Sequence, residues 1–407
     1  MASKPVKSSS SSLGGTVFLA AALSAIVAAL YLAQDLEPLT QITSDFFPAN
    51  KPLVAKAPAQ IWHQEKQEYA FGRWKSAIKD IRFHYEGESL WHHVPARFQT
   101  KRWHYTSVNT PHYFIAIALM SMQYLGPVFV YVVDKTTLEK WETGVMSPLA
   151  WGVSFSASSV DPNSCSSYTG YNLSLCYQDD SWHMKLDSIP LTSEHSKETL
   201  PFSFDLKMAS REALILSFPL ANNPLRPAYV HKGAGYPVSG EFTLGTKRVV
   251  VDDGLGAIDW TKSIALHRTE WYWASSNFYS PDGKAVGINL SRRVYDVNGA
   301  SQENAIWIDG TVCVLGEVKV NIPEKNPNEA KWTIESRQAT DKDALYLEFV
   351  PAGSRAENVN ILNVLTTEFV QPYGHFSGHV KCTAEGKTYD INVQDAFGVV
   401  EDHVSLW

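Results

Sequence analysis

GYPVSG at Gly235–Gly240 opens a strand, a turn and a second strand that run into DGLGAID at Asp253–Asp259. Near the carboxyl end, YGHFSG at Tyr373–Gly378 opens the same succession and runs into DAFGVVE at Asp395–Glu401. The shared frame is S-G, a hairpin, then D-x-x-G-x-x-[DE]. Self-similarity of this kind marks one architectural unit used twice. A weaker echo links Tyr113–Ala118 with Trp273–Asn277 and the strand after it. Two similar β units follow, about residues 80–263 and 264–407. In each, glycine permits a positive φ or a close backbone approach where a sheet closes, and the acid can bond amides exposed there. Asp253, Asp259, Asp395 and Glu401 are therefore expected as architectural corners rather than as one active site.

Working outward, β-branched and aromatic runs alternate with turn signals. Examples are Tyr113–Ala118, Val128–Val133, Ala213–Phe218, Val286–Leu290, Thr311–Ile322 and Ala344–Val350, with the turn dipeptides Asp282-Gly283, Asp309-Gly310 and Glu385-Gly386 between such runs. The chain reads as all-β, sandwich or barrel, with Gln64–Ile81 as a possible short helix.

Of the 407 residues, 44% are hydrophobic and only 19% charged, which suits a packed core and not a chain disordered throughout. A net charge of -7 argues against a surface built to neutralise phosphates, so nucleic acid is not an expected partner. Aromatic residues make up 12%, with 13 Trp and 18 Tyr, a composition suited to strands and to pockets for flat or greasy ligands.

Residues 1–15 form a short tail carrying Lys4 and Lys7. From Thr16 to Ala33 no charge occurs, and residues 16–34 are expected to form a transmembrane anchor, with a cleaved targeting peptide as the alternative. The positive-inside rule places the bulk of the chain on the non-cytosolic side of a secretory or organellar membrane. Residues 35–79, with Pro38, Pro48, Pro52 and Pro58, read as a linker. Asn172 and Asn289 head N-x-S triplets, which are glycosylation acceptors in a secretory lumen. Cys165, Cys176, Cys313 and Cys382 include no C-x-x-C pair, so no zinc site is expected. Cys165 and Cys176 either close a loop in an oxidising compartment or stay free. His92, His93, His104 and His112 lack metal-ligand spacing, and no P-loop, G-x-S-x-G or dinucleotide fingerprint is present. No metal and no cofactor is expected.

The densest chemistry lies in Leu266–Asn277. On a strand His267, Thr269, Trp271 and Trp273 share one face, and Arg268, Glu270 and Tyr272 the other. One reading makes Glu270 or Glu303 a carboxylic acid with a raised pKa in an apolar cavity, with Arg268 beside it. The other makes Arg268 and Glu270 a salt bridge stitching strands. Gly287, Asn289 and Ser291 share a face and suit a cavity wall. Glu303 and Asn304 stand at the mouth of the apolar strand that carries Trp307, and His403 is a further candidate near the carboxyl end.

Four separated segments carry a family resemblance: HRTEWYWA at 267–274, GINLS at 287–291, ENAIWIDG at 303–310 and GVVEDH at 398–403. Over roughly residues 95–407 the chain resembles the domain of unknown function 2804, which is similar to a calycin-like group holding carotenoid 1,2-hydratase, tocopherol cyclase and lipocalin-like Diels-Alderases. The resemblance implies tandem lipocalin-like β-barrels with a hydrophobic cavity in or between them. It also implies a lipophilic ligand, isoprenoid, pigment or lipid, held during protonation, hydration or cyclisation. No catalytic residue carries over, because the motifs of those relatives do not align position by position.

The expected function is a membrane-anchored binder of a lipophilic small molecule, catalysing cofactor-free, acid-assisted isomerisation, hydration or cyclisation. The alternatives are a non-catalytic carrier and a structural subunit of a membrane complex. Glu270, Arg268 and Glu303 are the catalytic candidates. His267, Trp271, Trp273, Asn289, Asn304, Trp307 and His403 are the ligand-binding ones.

Overall fold

The computed structural model describes residues 47, 52–89, 92–161, 163–361 and 365–407. The tail at 1–15 and the membrane anchor expected at 16–34 lie outside the described residues. Among those described, no helix is long and apolar enough to cross a membrane.

The first unit contains a closed antiparallel circuit of eight strands. Pro227–Leu244 pairs Lys247–Ile264, and the ladder continues through Thr100–Asn109, Tyr113–Ser121, Leu125–Asp134, Lys140–Pro148, Ser181–Ser193 and Thr199–Ala209 back to Pro227–Leu244. Closure leaves no free edge in the circuit, and side chains alternate between its interior and its outside. Ser181–Ser193 follows that rule, with buried and exposed residues alternating over much of its length. Tyr113–Ser121 is instead buried at every position. Its Ile115, Ile117 and Leu119 fill the barrel. Its Phe114, Ala116, Ala118 and Met120 pack against Trp273, Tyr373, Phe397 and Val399 of the second unit. A strand covered on both faces reads as an unbroken apolar run, and YFIAIALM at 113–120 is one.

The second unit is a nine-stranded antiparallel sheet running from Thr311–Val314 at one edge to Val318–Asn321 at the other. It curls until its ends approach, but among the described residues no ladder joins its two edge strands. Two other links draw the curl together. The Cys313–Cys382 disulfide ties an edge strand to Leu365–Ala384, and Arg292 donates to the Val318 carbonyl at 2.6 Å. The second barrel is thus a curled sheet stapled at its seam, where a closed one was expected. The two sheets divide between Ile264 and Arg268.

The repeated frame forms a corner in both units. Gly240 and Gly378 adopt φ of +125° and +145°, each beside a register shift in its hairpin. A Cβ at Gly240 would lie 2.3 Å from the Asp205 carbonyl, and one at Gly378 2.0 Å from that of Tyr346. Only glycine tolerates that approach in that conformation.

Residues 53–79 are not the linker expected of them, and Gln64–Ile81 is not a helix. Leu53–Val54 and Gly72–Trp74 extend the first sheet beyond Leu214–Pro219. Ile61, Tyr69, Trp74 and Ile78 are buried in its core. Farther on, Glu86 pairs with the buried Lys262 ammonium and accepts from Arg102 at 3.0 Å. Strands of two or three residues are too short to show a period, so prolines dominate the sequence signal there. Val94–Gln99 is the one α-helix among the described residues. Cys165 and Cys176 stand opposite each other in adjacent strands and are bonded.

Candidate functional site

Alternation along Thr100–Asn109 decides where the site lies. His104 and Thr106 point into the first barrel, where they bond Ser166 and the Ala257 carbonyl. Lys101, Trp103 and Tyr105 point outward and line a cavity of about 480 Å³ between the two units. The second unit answers with Trp271, Trp273, Ser291, Tyr295 and Glu303, and Met120, Met122, Leu220 and Trp407 add apolar wall. Trp103 and Trp271 meet edge to face with centroids 6.0 Å apart, as do Tyr105 and Trp273 at 5.2 Å. A cavity of this size with an aromatic, largely apolar wall, bordered by ion-paired groups, fits one small lipophilic molecule.

The polar part of the wall is a buried cluster contributed by both units. Lys232, on Pro227–Leu244, stands opposite Asp259 in the neighbouring strand and forms an ion pair with it. Its ammonium also lies 3.3 Å from Glu303 of the second unit and 5.8 Å from the Trp273 ring centroid. Ser291 donates to the other Glu303 oxygen at 2.7 Å, and its hydroxyl lies 2.7 Å from that of Ser301. Burial pushes the Glu303 carboxyl pKa up, and the neighbouring Asp259 carboxylate pushes the same way against the pull of Lys232. Burial alone would lower the Lys232 pKa, but the two carboxylates outweigh it and raise it. Burial therefore makes Glu303 the carboxyl of the cluster whose hold on a proton is raised. Tyr295, also buried, is held neutral by burial and by the same two carboxylates.

The corner frame also has a chemical side. Asp253 and Asp395 are exposed, whereas Asp259 and Glu401, at equivalent places in the two repeats, both line the cavity. Glu401 accepts from Trp271 Nε1 at 2.5 Å and from Gln371 Nε2 at 2.8 Å, and Gln371 in turn accepts from the Tyr131 hydroxyl at 2.7 Å. That chain of bonds fixes the Trp271 ring against the cavity.

Other sequence candidates take several positions. Arg268 and Glu270 sit at the cavity rim, where Arg268 donates to Glu270 at 3.0 Å and Arg293 approaches it to 3.6 Å. Glu270 is thus an ion-paired rim residue, apart from the buried cluster. Asn289 accepts from Trp273 Nε1 at 2.8 Å and donates to the Glu303 carbonyl at 2.9 Å, holding two wall residues from behind. This buried asparagine is no exposed glycosylation acceptor, whereas Asn172 is exposed. Asn304 bonds the Ser291 amide and the Gly316 carbonyl, and Trp307 donates to the Glu212 carbonyl from within the first core. His267 lies 3.0 Å from the Trp407 carbonyl. His403 packs against Trp271 with ring centroids 4.0 Å apart and planes tilted by 34°, and lies 2.6 Å from the Ser405 hydroxyl. These last four residues do not border the cavity.

Lys232, Lys101 and Tyr295 were not singled out from the sequence. Only the position of Lys232 within the repeat, three residues before Gly235 and paired across the hairpin with Asp259, could have pointed to it.

The family model described as "Domain of unknown function (DUF2804)" matches residues 74–407. No curated protein matches the sequence. Among solved structures, the chain is similar to a protein assigned as AttH from Nitrosomonas europaea, with a TM-score of 0.43, 11% identity, and 79% of this chain and 99% of that one covered. It is similar to kievitone hydratase from Nectria haematococca, also at 0.43 and 11%, with 87% and 96% covered. It is similar to CghA with Sch210972 at 0.42 and 8%, with 75% and 88% covered. Likeness of that degree says nothing about ligand or reaction.

Proposed function

We propose that this chain, which belongs to the DUF2804 family, binds a lipophilic small molecule between its two β units and protonates it from Glu303. The observation that carries this reading is the buried Lys232–Asp259–Glu303 cluster in the wall of an aromatic cavity. A carboxylic acid whose pKa burial raises can deliver its proton to an alkene or a carbonyl, and Lys232 and Ser291 stabilise the carboxylate left behind. Asp259 keeps Lys232 charged and in place. The reaction class that fits is acid-assisted isomerisation, hydration or cyclisation, with the ligand's shape constrained by Trp103, Trp271 and Trp273. Residues 16–33 are proposed to anchor the chain beside the lipid phase that supplies the molecule, with its bulk on the non-cytosolic side. The two disulfides suit an oxidising compartment of that kind.

The test begins with the molecule that co-purifies with the protein, identified by extraction and mass spectrometry. Presented again to the wild-type chain, it is converted to an isomer, a hydrate or a cyclised product. Glu303→Gln binds it with affinity unchanged to about threefold and converts it at least about a hundredfold more slowly. Equal turnover by the variant would remove Glu303 from the chemistry.

A further inference from the structure

Six cationic residues border the cavity: Lys101, Arg102, Lys232, Arg268, Arg292 and Arg293. Five of them reach a carboxylate. Arg102 pairs with Glu86, Lys232 with Asp259 and Glu303, Arg268 and Arg293 with Glu270, and Arg292 with Asp296 and Glu317. Lys101 is the exception among the described residues. It is 7% exposed, and its ammonium donates to the Phe98 carbonyl at 2.9 Å and to the Tyr124 hydroxyl at 3.1 Å, lying 4.5 Å from that ring's centroid. Both acceptors are neutral, and an ammonium has three protons to give. Burial with no acid to oppose it pulls the Lys101 pKa down to about 7.

A buried cation without a counter-charge is costly, and the cost falls when an anion arrives. The strand fixes where that anion would stand. Lys101 lies four residues along from Tyr105, and Tyr105 is the ladder partner of Asp259. At roughly 3.3 Å per residue, Lys101 is about 13 Å along the strand from the level of the acid cluster. Between them the wall is Trp103, Met120, Trp271 and Trp273.

We infer that Lys101 receives the carboxylate of the ligand, so that the cavity takes an amphiphilic acid whose anionic head and reacting carbon lie at opposite ends. This rests on the reading of the cavity as a lipophilic-ligand site and narrows its ligand to acids. The acid's charge keeps Lys101 an ammonium, and the carboxylate accepts a hydrogen bond from its third N–H. The polar head held there orients the apolar body toward Glu303.

The test is a fluorescence titration of the protein with cis-parinaric acid and with its methyl ester, which shares the apolar body and lacks the charge. The wild-type chain is expected to bind the acid about tenfold or more tightly than the ester, as a charge-assisted hydrogen bond in a buried site requires. Lys101→Met is expected to lose that preference, weakening the acid by the same factor and leaving the ester within roughly twofold. Should the methionine variant not fold, Lys101→Gln reads the same ratio. Equal affinity of the wild-type chain for acid and ester, or a preference for the acid that survives both substitutions, overturns the role of Lys101 and leaves the cavity reading intact. Binding of neither probe overturns both.

Discussion

His104 and His231 stand inside the first barrel as neutral imidazoles. Each is almost wholly buried, with His104 Nδ1 2.8 Å from the Ser166 hydroxyl and His231 Nδ1 3.1 Å from that of Ser159. Burial lowers both pKa values to about 3, and His231 adds to the effect on His104. In the unfolded chain both residues take up a proton as pH falls through about 6.5, while the folded interior refuses it until near pH 3. The unfolded state then binds more protons, so the stability these groups contribute is full above about pH 6.5 and is lost progressively toward pH 3. Melting temperatures at about pH 7 and pH 4.5 check this. The drop between them is expected to be smaller in a His104→Gln, His231→Gln double variant than in the wild-type chain, and an equal drop would assign acid sensitivity elsewhere. At the same scale, a side chain's role depended on which neighbour the fold supplied. Glu270 and Glu303 were equal candidates in sequence, but Glu270 meets two arginines at the rim whereas Glu303 meets one lysine already shared with Asp259.

Between elements, the two disulfides do different work. Cys165–Cys176 links residues that already face each other across a ladder, closing a separation of 11 residues. Cys313–Cys382 spans 69 residues and fastens the seam of a sheet whose edge strands share no ladder among the described residues. Loop-closure entropy assigns about 3 kcal/mol to the first and about 4 kcal/mol to the second. Replacing Cys313 and Cys382 together with Ser is therefore expected to lower the unfolding free energy in urea by about 4 kcal/mol, with the larger loss of near-ultraviolet signal in the second unit. A loss below about 1 kcal/mol would mean that packing closes the seam unaided. The S-G frame was legible because a glycine forced by steric approach recurs wherever the corner recurs. The seam and its disulfide were not, because the spacing of two cysteines does not say which strands a curled sheet brings together. The packing of residues 53–79 onto the first sheet was hidden for a related reason. Its hold on the barrel comes from single buried residues such as Ile61, Trp74 and Ile78, and not from any period.

For the molecule as a whole, the site exists only because two units pack outer face to outer face. Tyr113–Ser121 shows how sequence encodes this: its second apolar face has no use in a lone barrel and serves the contact with Trp273, Phe397 and Val399. Trp271 and Trp273 as cavity wall were legible from their crowding on one strand. The acid cluster was legible only in part. Glu303 stood out, but Lys232 and Asp259 are distant in sequence from it and meet it only through the packing of the units. The central claim is that a lipophilic ligand occupies the space between the units, next to Glu303. A crystal structure of the chain with cis-parinaric acid tests it most directly. The ligand is expected between Trp103, Trp271 and Trp273, with its carboxylate at Lys101 and its apolar end toward Ser291 and Glu303. Density inside the first barrel around His104 and His231, or an inter-unit cavity filled only with water, would contradict it.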